Sequence, residues 1–382
     1  MRARELGITI GLGEPGPLNA ITDVQGVRVG FCTLIEGDPG PLVTGEGPIR
    51  TGVTVIVPHD GEIAIEPLFV GTHTLNGTGD CSGLEYVRES GLLTSPIALT
   101  NTYSLGVVRD ALVKREVDVR AALGEDKQGC YYSFPVVAET WDGCLNDIGG
   151  QHVRAEDVAV ALSDAKGGAV AEGNVGGGTG MVCHDFKGGT GTASRVFEVE
   201  GERFTVGALV QANHSWRDPF TVNGAPVGLL LGTDVVPGCQ LPEYPSPAGG
   251  GSIIAVLATD APLLPTHLSS LAQRAGLGVA WLGGYGDRFS GDIFLAFSTA
   301  NRGIPSQHDG AGGPHRLSAD WITFTYLDWF HQAAVEATAE AILNALLQAE
   351  TMSGRDLVTA YALEGEQLVR VLDRFGRRTF KP

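Results

Sequence analysis

The sequence predicts an α/β protein, because short apolar segments rich in β-branched residues alternate with helical segments along the chain. Residues 27–34 and 52–58 have the composition and length of strands, and residues 327–350 carry small apolar residues at helical spacing. The chain has 382 residues, of which 43% are apolar, so it can bury a large core. We expect a single domain over residues 1–382.

The other predicted elements continue this alternation. Residues 71–80 are dense in small polar side chains and are predicted to form a loop that lines a site. Pro265 is expected to open a helix and Gly276 to end it. Further strands are predicted over 96–102, 135–143, 253–260 and 290–299, a hairpin over 196–199 and 204–213, and helices over 84–93, 105–115 and 154–165.

Charge and composition exclude several classes of partner. With 26 basic and 44 acidic residues the net charge is −18, which disfavours nucleic acids and anionic membranes and favours a cationic ligand group such as an ammonium. The six cysteines are scattered without a CxxC pair, as is typical of a reducing compartment. The N-terminus has no long apolar segment, and no run of 18 apolar residues occurs, so we expect a cytoplasmic protein without a membrane span.

Several common catalytic motifs are missing. The glycine-rich tract over 173–180 and 187–195 contains no GxxxxGK[ST], and no strand leads into a GxGxxG, so we expect a loop packed against other backbone. There is no HExxH, no His/Cys grouping at zinc spacing and no GxSxG elbow. We therefore expect neither a metal nor another cofactor.

The most informative stretch is a run of three glycines that ends at Gly251 and leads through Ser252 into an apolar strand. Such a run is most often a simple loop before a strand. It also suits self-cleavage, in which the Ser252 hydroxyl attacks the Gly251 carbonyl and the ester hydrolyses. The new α-amino group, with an ordinary pKa of about 7.7–8.0, could then accept a proton from the hydroxyl.

Four more polar residues stand at strand ends, where a sheet can deliver side chains to a site. Glu139 follows a buried strand and is either a salt-bridged carboxylate or functional. Asn213 ends the predicted hairpin and is either a turn former or a donor to an oxyanion. Ser290 and Asp292 are two residues apart on one strand, so their side chains should lie on the same face.

Together these stretches resemble one family, the self-processing aminopeptidases typified by L-aminopeptidase/D-alanyl-esterase-amidase and the β-peptidyl aminopeptidases. The resemblance extends from near residue 20 to beyond residue 350. The matching motifs are Asn76-Gly77-Thr78-Gly79, Pro135-Val136-Val137-Ala138-Glu139-Thr140-Trp141-Asp142-Gly143, Gly178-Thr179-Gly180-Met181-Val182-Cys183, Lys187-Gly188-Gly189-Thr190-Gly191-Thr192-Ala193-Ser194-Arg195, Gly251-Ser252-Ile253-Ile254 and Ser290-Gly291-Asp292-Ile293.

The resemblance implies a four-layer α/β/β/α sandwich like that of N-terminal-nucleophile hydrolases, with different connectivity. It implies cleavage into residues 1–251 and 252–382, which stay together, and homo-oligomers of cleaved protomers, such as tetramers or octamers. The family's nucleophile matches Ser252, and its supporting serine and acidic residue match Ser290 and Asp292. Many relatives carry glutamate where this chain has Asp292.

The same resemblance assigns the remaining site residues. The oxyanion-stabilising asparagine matches Asn213, and a glutamate that holds the substrate's free amine matches Glu139. Trp141 stands in the substrate site where some relatives carry tyrosine, and its indole can only donate.

The expected activity is an aminopeptidase that releases N-terminal amino acids from small peptides, amides or esters. The alternatives are β-peptidyl specificity, acyl transfer as in ornithine acetyltransferases, which carry threonine at the cleavage site, and a processed but inactive binding protein.

Overall fold

A computed structural model describes residues 1–124, 132–241, 251–305 and 316–380. In the described part of the chain the helices are α1 (Leu84–Ser90), α2 (Leu105–Ala122), α3 (Ala155–Asp164), α4 (Val227–Leu230), α5 (Pro265–Trp281), α6 (Leu327–Gln348) and α7 (Gly365–Phe375). The strands are β1 (Arg28–Glu36), β2 (Ile49–Val57), β3 (Leu68–Gly77), β4 (Leu92–Leu93), β5 (Ile97–Asn101), β6 (Val136–Thr140), β7 (Val182–Cys183), β8 (Phe186–Lys187), β9 (Gly189–Val199), β10 (Glu202–Ala212), β11 (Ile253–Thr259), β12 (Gly291–Ser298), β13 (Met352–Ser353) and β14 (Thr359–Ala360).

Two sheets form the centre of the molecule. The smaller has the order β1-β2-β5-β6, and the larger has the order β4-β3-β12-β11-β10-β9. In the larger sheet β11 pairs in parallel with β12 and antiparallel with β10, and β12 pairs antiparallel with β3. Strand β11, which follows Ser252, is therefore hydrogen-bonded on both sides.

The two sheets face each other and helices cover their outer faces. Alternate residues of β11 show this: Ile254 and Val256 pack in the core between the sheets, whereas Ala255 and Leu257 pack toward α5 and α6. A third apolar cluster joins the smaller sheet to α2 and α3. The predicted α/β/β/α sandwich is confirmed, and the all-apolar pattern of β11 follows from burial on both faces.

Helix α6 is buried on nearly every side and carries two acidic residues inside the protein. Arg195 on β9 donates to Glu336 over 3.0 Å and to Glu340 over 2.7 Å, and all three side chains are buried. Arg4 also pairs with Glu340, at 2.9 Å. These ion pairs satisfy the buried charges and fix α6 to the larger sheet and to the N-terminal segment.

Three expectations about individual elements were wrong. Residues 71–77 are not a loop but the end of strand β3, because they pair with β12. Helix α5 continues past Gly276 to Trp281, since Gly276 does not adopt the left-handed conformation with which a glycine ends a helix. Gly91 does adopt it, so α1 ends at Ser90 and residues 92–93 form β4 rather than more helix.

Among the described helices, none is long and apolar enough to cross a membrane.

Candidate active site

Ser252 lies immediately before β11 and is only 5% exposed. Its hydroxyl oxygen accepts a hydrogen bond of 3.0 Å from the backbone N–H of Gly291, at the start of β12. Its carbonyl accepts a bond of 3.1 Å from the backbone N–H of Asn213, at the end of β10. The serine is thus held between the two strands that flank β11, in the middle of the larger sheet.

Gly251 is packed against Asn213 so closely that no other residue fits. A Cβ on Gly251 would lie 1.8 Å from the Asn213 carbonyl oxygen and 2.6 Å from its side-chain nitrogen Nδ2. The close approach of Asn213 therefore requires a glycine at this position. The residues before it, 242–250, lie outside the described part of the chain.

The amide of Asn213 has a fixed orientation. Its Oδ1 accepts a hydrogen bond of 2.7 Å from Val182 N–H, and its Nδ2 donates a bond of 2.9 Å to the carbonyl of Trp141. An amide nitrogen has two hydrogens, so one remains after the bond to Trp141, and Nδ2 lies beside Gly251. A donor held in this way can stabilise negative charge on a nearby carbonyl oxygen.

Ser290 and Asp292 lie together, as the spacing predicts. The Ser290 hydroxyl donates to Asp292 Oδ1 over 2.5 Å, and both residues are 1% exposed. Burial is the main cause that raises the pKa of Asp292 to about 6, and the Asp287 charge adds to it, while hydrogen bonds from Ser290 and the Ile253 backbone oppose it. A carboxyl group with this pKa can exchange a proton near neutral pH.

Glu139 is the fourth residue of β6, near the carboxyl end of the strand, and its side chain is buried. Its Oε1 accepts a bond of 2.8 Å from the Asp80 N–H, and its Oε2 accepts a hydrogen bond from the Thr102 hydroxyl. Burial raises its pKa, although both hydrogen bonds act in the opposite direction. Both donors to Glu139 are neutral, and it takes part in none of the ion pairs found among the described residues.

One glycine connects Glu139 with the serine region. A Cβ on Gly79 would lie 3.0 Å from the Cα of Gly291 and 3.3 Å from Glu139 Oε1. Gly291 in turn donates to the Ser252 hydroxyl. The structure therefore brings Ser252, Ser290, Asp292 and Glu139 around the start of β12.

Trp141 contributes its backbone to the site. Its carbonyl orients Asn213, while its ring lies over Gly143, where a Cβ would come within 2.4 Å of ring atoms. The side chain is half-buried.

A cavity of about 590 Å³ lies next to this region and is lined by both polar and aromatic residues. Gly79 and Asp80 belong both to its wall and to the surroundings of Glu139. Thr74, Gly77, Gly79 and Asp80 line this cavity, as predicted for the segment 71–80, although most of that segment is in a strand. The other lining residues include Leu84, Tyr86, Arg88 and Phe134.

The sequence did not predict the residues that contact the site through their backbone or that hydrogen-bond to its side chains. The N–H groups of Gly291 and Asp80 and the Thr102 hydroxyl all contact predicted site residues. Of these residues, only Gly291 could have been found from the sequence, because it stands between the two predicted site residues Ser290 and Asp292. Thr102 and Asp80 are 37 and 59 residues from Glu139 in the chain, and only the fold brings them together.

Solved structures with the same fold define the class of protein. A Burkholderia sp. beta-aminopeptidase is 49% identical, with a TM-score of 0.89 and full coverage of both chains. The L-aminopeptidase D-Ala-esterase/amidase of Ochrobactrum anthropi is 44% identical, with a TM-score of 0.89 over 98% of this chain and 99% of that one. That structure is described as a prototype of the serine aminopeptidases and a variant of the Ntn-hydrolase fold. The protein is thus an Ntn-type serine hydrolase with aminopeptidase function.

The family follows from the sequence comparisons. The model of peptidase family S58 matches residues 19–360. The beta-peptidyl aminopeptidase BapA of Sphingosinicella microcystinivorans is 45% identical over 382 residues, which covers 98% of this chain and 93% of that protein. The chain belongs to peptidase family S58.

Proposed function

We propose that this aminopeptidase is activated by cleavage of its own chain between Gly251 and Ser252, and that the freed Ser252 is its nucleophile. The observation that carries the proposal is the position of the Asn213 amide. It is fixed by Val182 and Trp141, and its nitrogen Nδ2 lies beside Gly251.

Cleavage would begin with attack of the Ser252 oxygen on the Gly251 carbonyl carbon. The oxyanion that forms would accept a hydrogen bond from Asn213, and the Gly251–Ser252 C–N bond would break as the nitrogen gains the hydroxyl proton. Water would then hydrolyse the ester, leaving a carboxylate on Gly251 and an amino group on Ser252. The buried Ser290–Asp292 pair supports proton transfer near neutral pH.

Turnover would use the same groups on a substrate. Ser252 attacks the first carbonyl of a peptide, amide or ester, the leaving group departs with a proton, and water releases the acyl group. Asn213 donates to the oxyanion. Glu139 binds the ammonium group of the substrate, because it is a buried carboxylate held only by neutral donors. Together with the net charge of −18, this favours small substrates with a free amine.

A β-peptidyl specificity is the second candidate. The relatives named as β-aminopeptidases are 45% and 49% identical, and the L-aminopeptidase is 44% identical. These values are too close to choose between α- and β-amino acids. We also keep the cytoplasmic location and the homo-oligomer of cleaved protomers as predictions.

Intact-mass measurement of purified protein tests the cleavage. Wild-type protein should give the fragments 1–251 and 252–382, whereas Ser252→Ala should give one chain of 39.9 kDa without activity. Ser163→Ala, which changes an exposed serine on α3, is the matched control and should be cut normally. Two fragments from Ser252→Ala, or an uncut wild-type chain that is fully active, would reject the mechanism.

Assays with aminoacyl p-nitroanilides of L-, D- and β-amino acids then identify the substrate class. Higher kcat/KM for β-substrates would select the second candidate. Activity restricted to L- or D-α-amino acids would exclude it.

A further inference from the structure

Three residues that no zinc motif predicts come together beside the candidate active site. Cys183, His184 and His214 are all buried and offer ligand atoms that lie within 4.8 Å of one another. The Cys183 sulfur is 3.6 Å from Nδ1 of His214, and the two imidazole rings are 5.3 Å apart between centroids. The sequence hides this cluster because His214 is 31 positions from Cys183.

The ring of His184 has the arrangement of a metal ligand. Its Nδ1 lies 3.0 Å from the carbonyl of Trp216, so this nitrogen carries the proton and donates it. Its Nε2 then bears a free lone pair, and in the described part of the chain this buried atom has no hydrogen-bond partner. Metal-bound histidines commonly donate their second nitrogen to a backbone carbonyl in this way.

His214 presents its other ring nitrogen to the cluster. Its Nδ1 faces the Cys183 sulfur, and its Nε2 is buried without a hydrogen-bond partner among the described residues. The unpartnered Nε2 of His184 is costly to bury unless a ligand not present in the chain satisfies it. Stacking of His184 on Phe220, at 4.5 Å, explains the position of its ring but leaves its Nε2 unsatisfied.

The backbone at His184 is also unusual. His184 and Asp185 both have positive φ, 50° and 57°, in the two-residue turn that joins β7 to β8. Such turns favour asparagine, aspartate or glycine, so a histidine there is unusual. The turn directs the imidazole inward to the cluster.

We propose that Cys183, His184 and His214 form a structural metal site for zinc. Two ligands of a tetrahedral zinc ion, one sulfur at about 2.3 Å and one nitrogen at about 2.05 Å, lie about 3.6 Å apart, which is the separation of the Cys183–His214 pair. Both imidazoles would bind as neutral ligands, and the Cys183 thiol would release its proton as the sulfur–zinc bond forms.

The surroundings can balance the charge of the ion. A thiolate and two neutral imidazoles leave zinc with one net positive charge. The carboxylate of Asp185 follows His184 directly, and its buried Oδ1 has no hydrogen-bond partner within residues 1–124, 132–241, 251–305 and 316–380. A cavity of about 210 Å³ lined by Asp185 and Trp216 adjoins the cluster.

The site would stabilise the segments that hold Asn213. Cys183 follows Val182, whose N–H binds the Asn213 side chain, and His214 follows Asn213 itself. A zinc ion between Cys183 and His214 would therefore tie the end of β10 to β7. This role concerns stability and does not depend on the proposed nucleophile.

Zinc content, measured on the full-length chain, tests the proposal. The protein is refolded with zinc or with a chelator, dialysed against chelator, and analysed by mass spectrometry of the metal. The zinc-refolded wild type should retain about one zinc per chain and unfold at higher temperature than the chelator-refolded form. Cys183→Ser and His184→Phe should retain at least about tenfold less zinc.

The second ligand variant, one control variant and one spectrum complete the test. His184→Phe preserves stacking on Phe220, so it remains informative where Cys183→Ser does not fold. Cys32→Ser changes a cysteine on β1 and should bind zinc like the wild type. Cobalt bound at the site should give a thiolate-to-metal absorption band that Cys183→Ser lacks. A wild type that retains no more zinc than either ligand variant would overturn the proposal.

Discussion

The hydroxyl of Ser290 donates to the carboxylate of Asp292 across 2.5 Å, in a part of the larger sheet from which water is excluded. Ser290 immediately precedes β12, and Asp292 is the second residue of that strand. Strand β12 runs parallel to β11, and Asp292 is aligned with Ile253, the residue after Ser252. The spacing of two residues between Ser290 and Asp292 therefore places a titratable group near the proposed nucleophile.

Replacing the buried carboxylate should separate stability from activity. The pKa of Asp292 is about 6 in the folded chain against an ordinary 3.8, so the folded state binds the extra proton between these values. Wild-type stability contributed by this group must fall as pH rises from about 4 to 6. Asp292→Asn removes that cost and should be about 1–3 kcal/mol more stable at pH 7–8, with no gain below pH 4.

Asp292→Asn should also lose its aminopeptidase activity. Thermal melts and rate assays on the same preparations measure the gain in stability and the loss of activity. Asp292→Glu is the conservative comparison and should keep much more activity than Asp292→Asn. An Asp292→Asn enzyme with wild-type kcat would contradict the role of this carboxylate.

Gly251→Ala should block maturation. Its Cβ would come 1.8 Å from the Asn213 carbonyl oxygen, so the chain around the scissile bond must move. We expect self-cleavage to slow by at least about tenfold, because a displacement of about 1 Å at a reacting group has effects of this size or larger. Gly106→Ala is the control, since a Cβ there meets nothing within 4 Å. Time courses on denaturing gels measure both, and equal rates would refute the steric argument.

Asn213→Asp should reduce the rate without abolishing binding. The aspartate can still accept from Val182 N–H, but it offers no donor and adds negative charge beside the developing oxyanion. We expect kcat to fall by about 10²–10³-fold with a much smaller change in KM. Asn223→Asp is the control, because it removes the hydrogen bonds that the Asn223 side chain donates to the carbonyls of Thr9 and Arg377. It shows whether any asparagine-to-aspartate change lowers kcat. Loss of binding with unchanged kcat would assign Asn213 a different role.

Glu139→Gln should weaken the recognition of the substrate amine. The amide can still accept from Asp80 N–H, so the change removes mainly the charge. We expect KM to rise by at least about tenfold at neutral pH, because charge-assisted bonds are worth about 1.5–3 kcal/mol. Glu198→Gln, on the exposed face of β9, is the control and should have no such effect.

The pH profile provides an independent check on Glu139. Burial raises its pKa, so the carboxylate loses its charge at a higher pH than an ordinary glutamate as the solution is acidified. Wild-type kcat/KM should therefore decline on the acid side, and this decline should be absent or shifted in Glu139→Gln. Identical acid limbs in the two enzymes would show that another group binds the amine.

The sequence was sufficient where local pattern and fold agree. Strands β11 and β12 follow from their continuous apolar runs, and the shared face of Ser290 and Asp292 follows from their spacing of two residues. The hairpin of β9 and β10 follows from two apolar segments joined by a short polar turn. The glycine tract over 176–178 packs against backbone as expected, since a Cβ on Gly178 would lie 2.3 Å from Thr190 N. The four-layer arrangement itself came from family resemblance.

The errors arose where distant contacts decide the outcome. Residues 71–77 have the composition of a loop, yet pairing with β12 makes them a strand. Gly276 has the residue type that ends helices but not the backbone conformation, because α5 continues to pack over the sheet. The supports of Glu139 and the partners of Asn213 come from separate segments, and no spacing rule could predict them.

The position of β11 and β12 in the larger sheet has a consequence for how the cleaved protein would refold. If the 251–252 bond is cut, both strands belong to the second fragment and are inserted between β3 and β10 of the first. Two strands of the second fragment would then be hydrogen-bonded between strands of the first, so the fragments could not dissociate without disrupting the larger sheet. A matured enzyme that unfolds would have to reassemble from two separate polypeptides, and recovery after heating should depend on protein concentration.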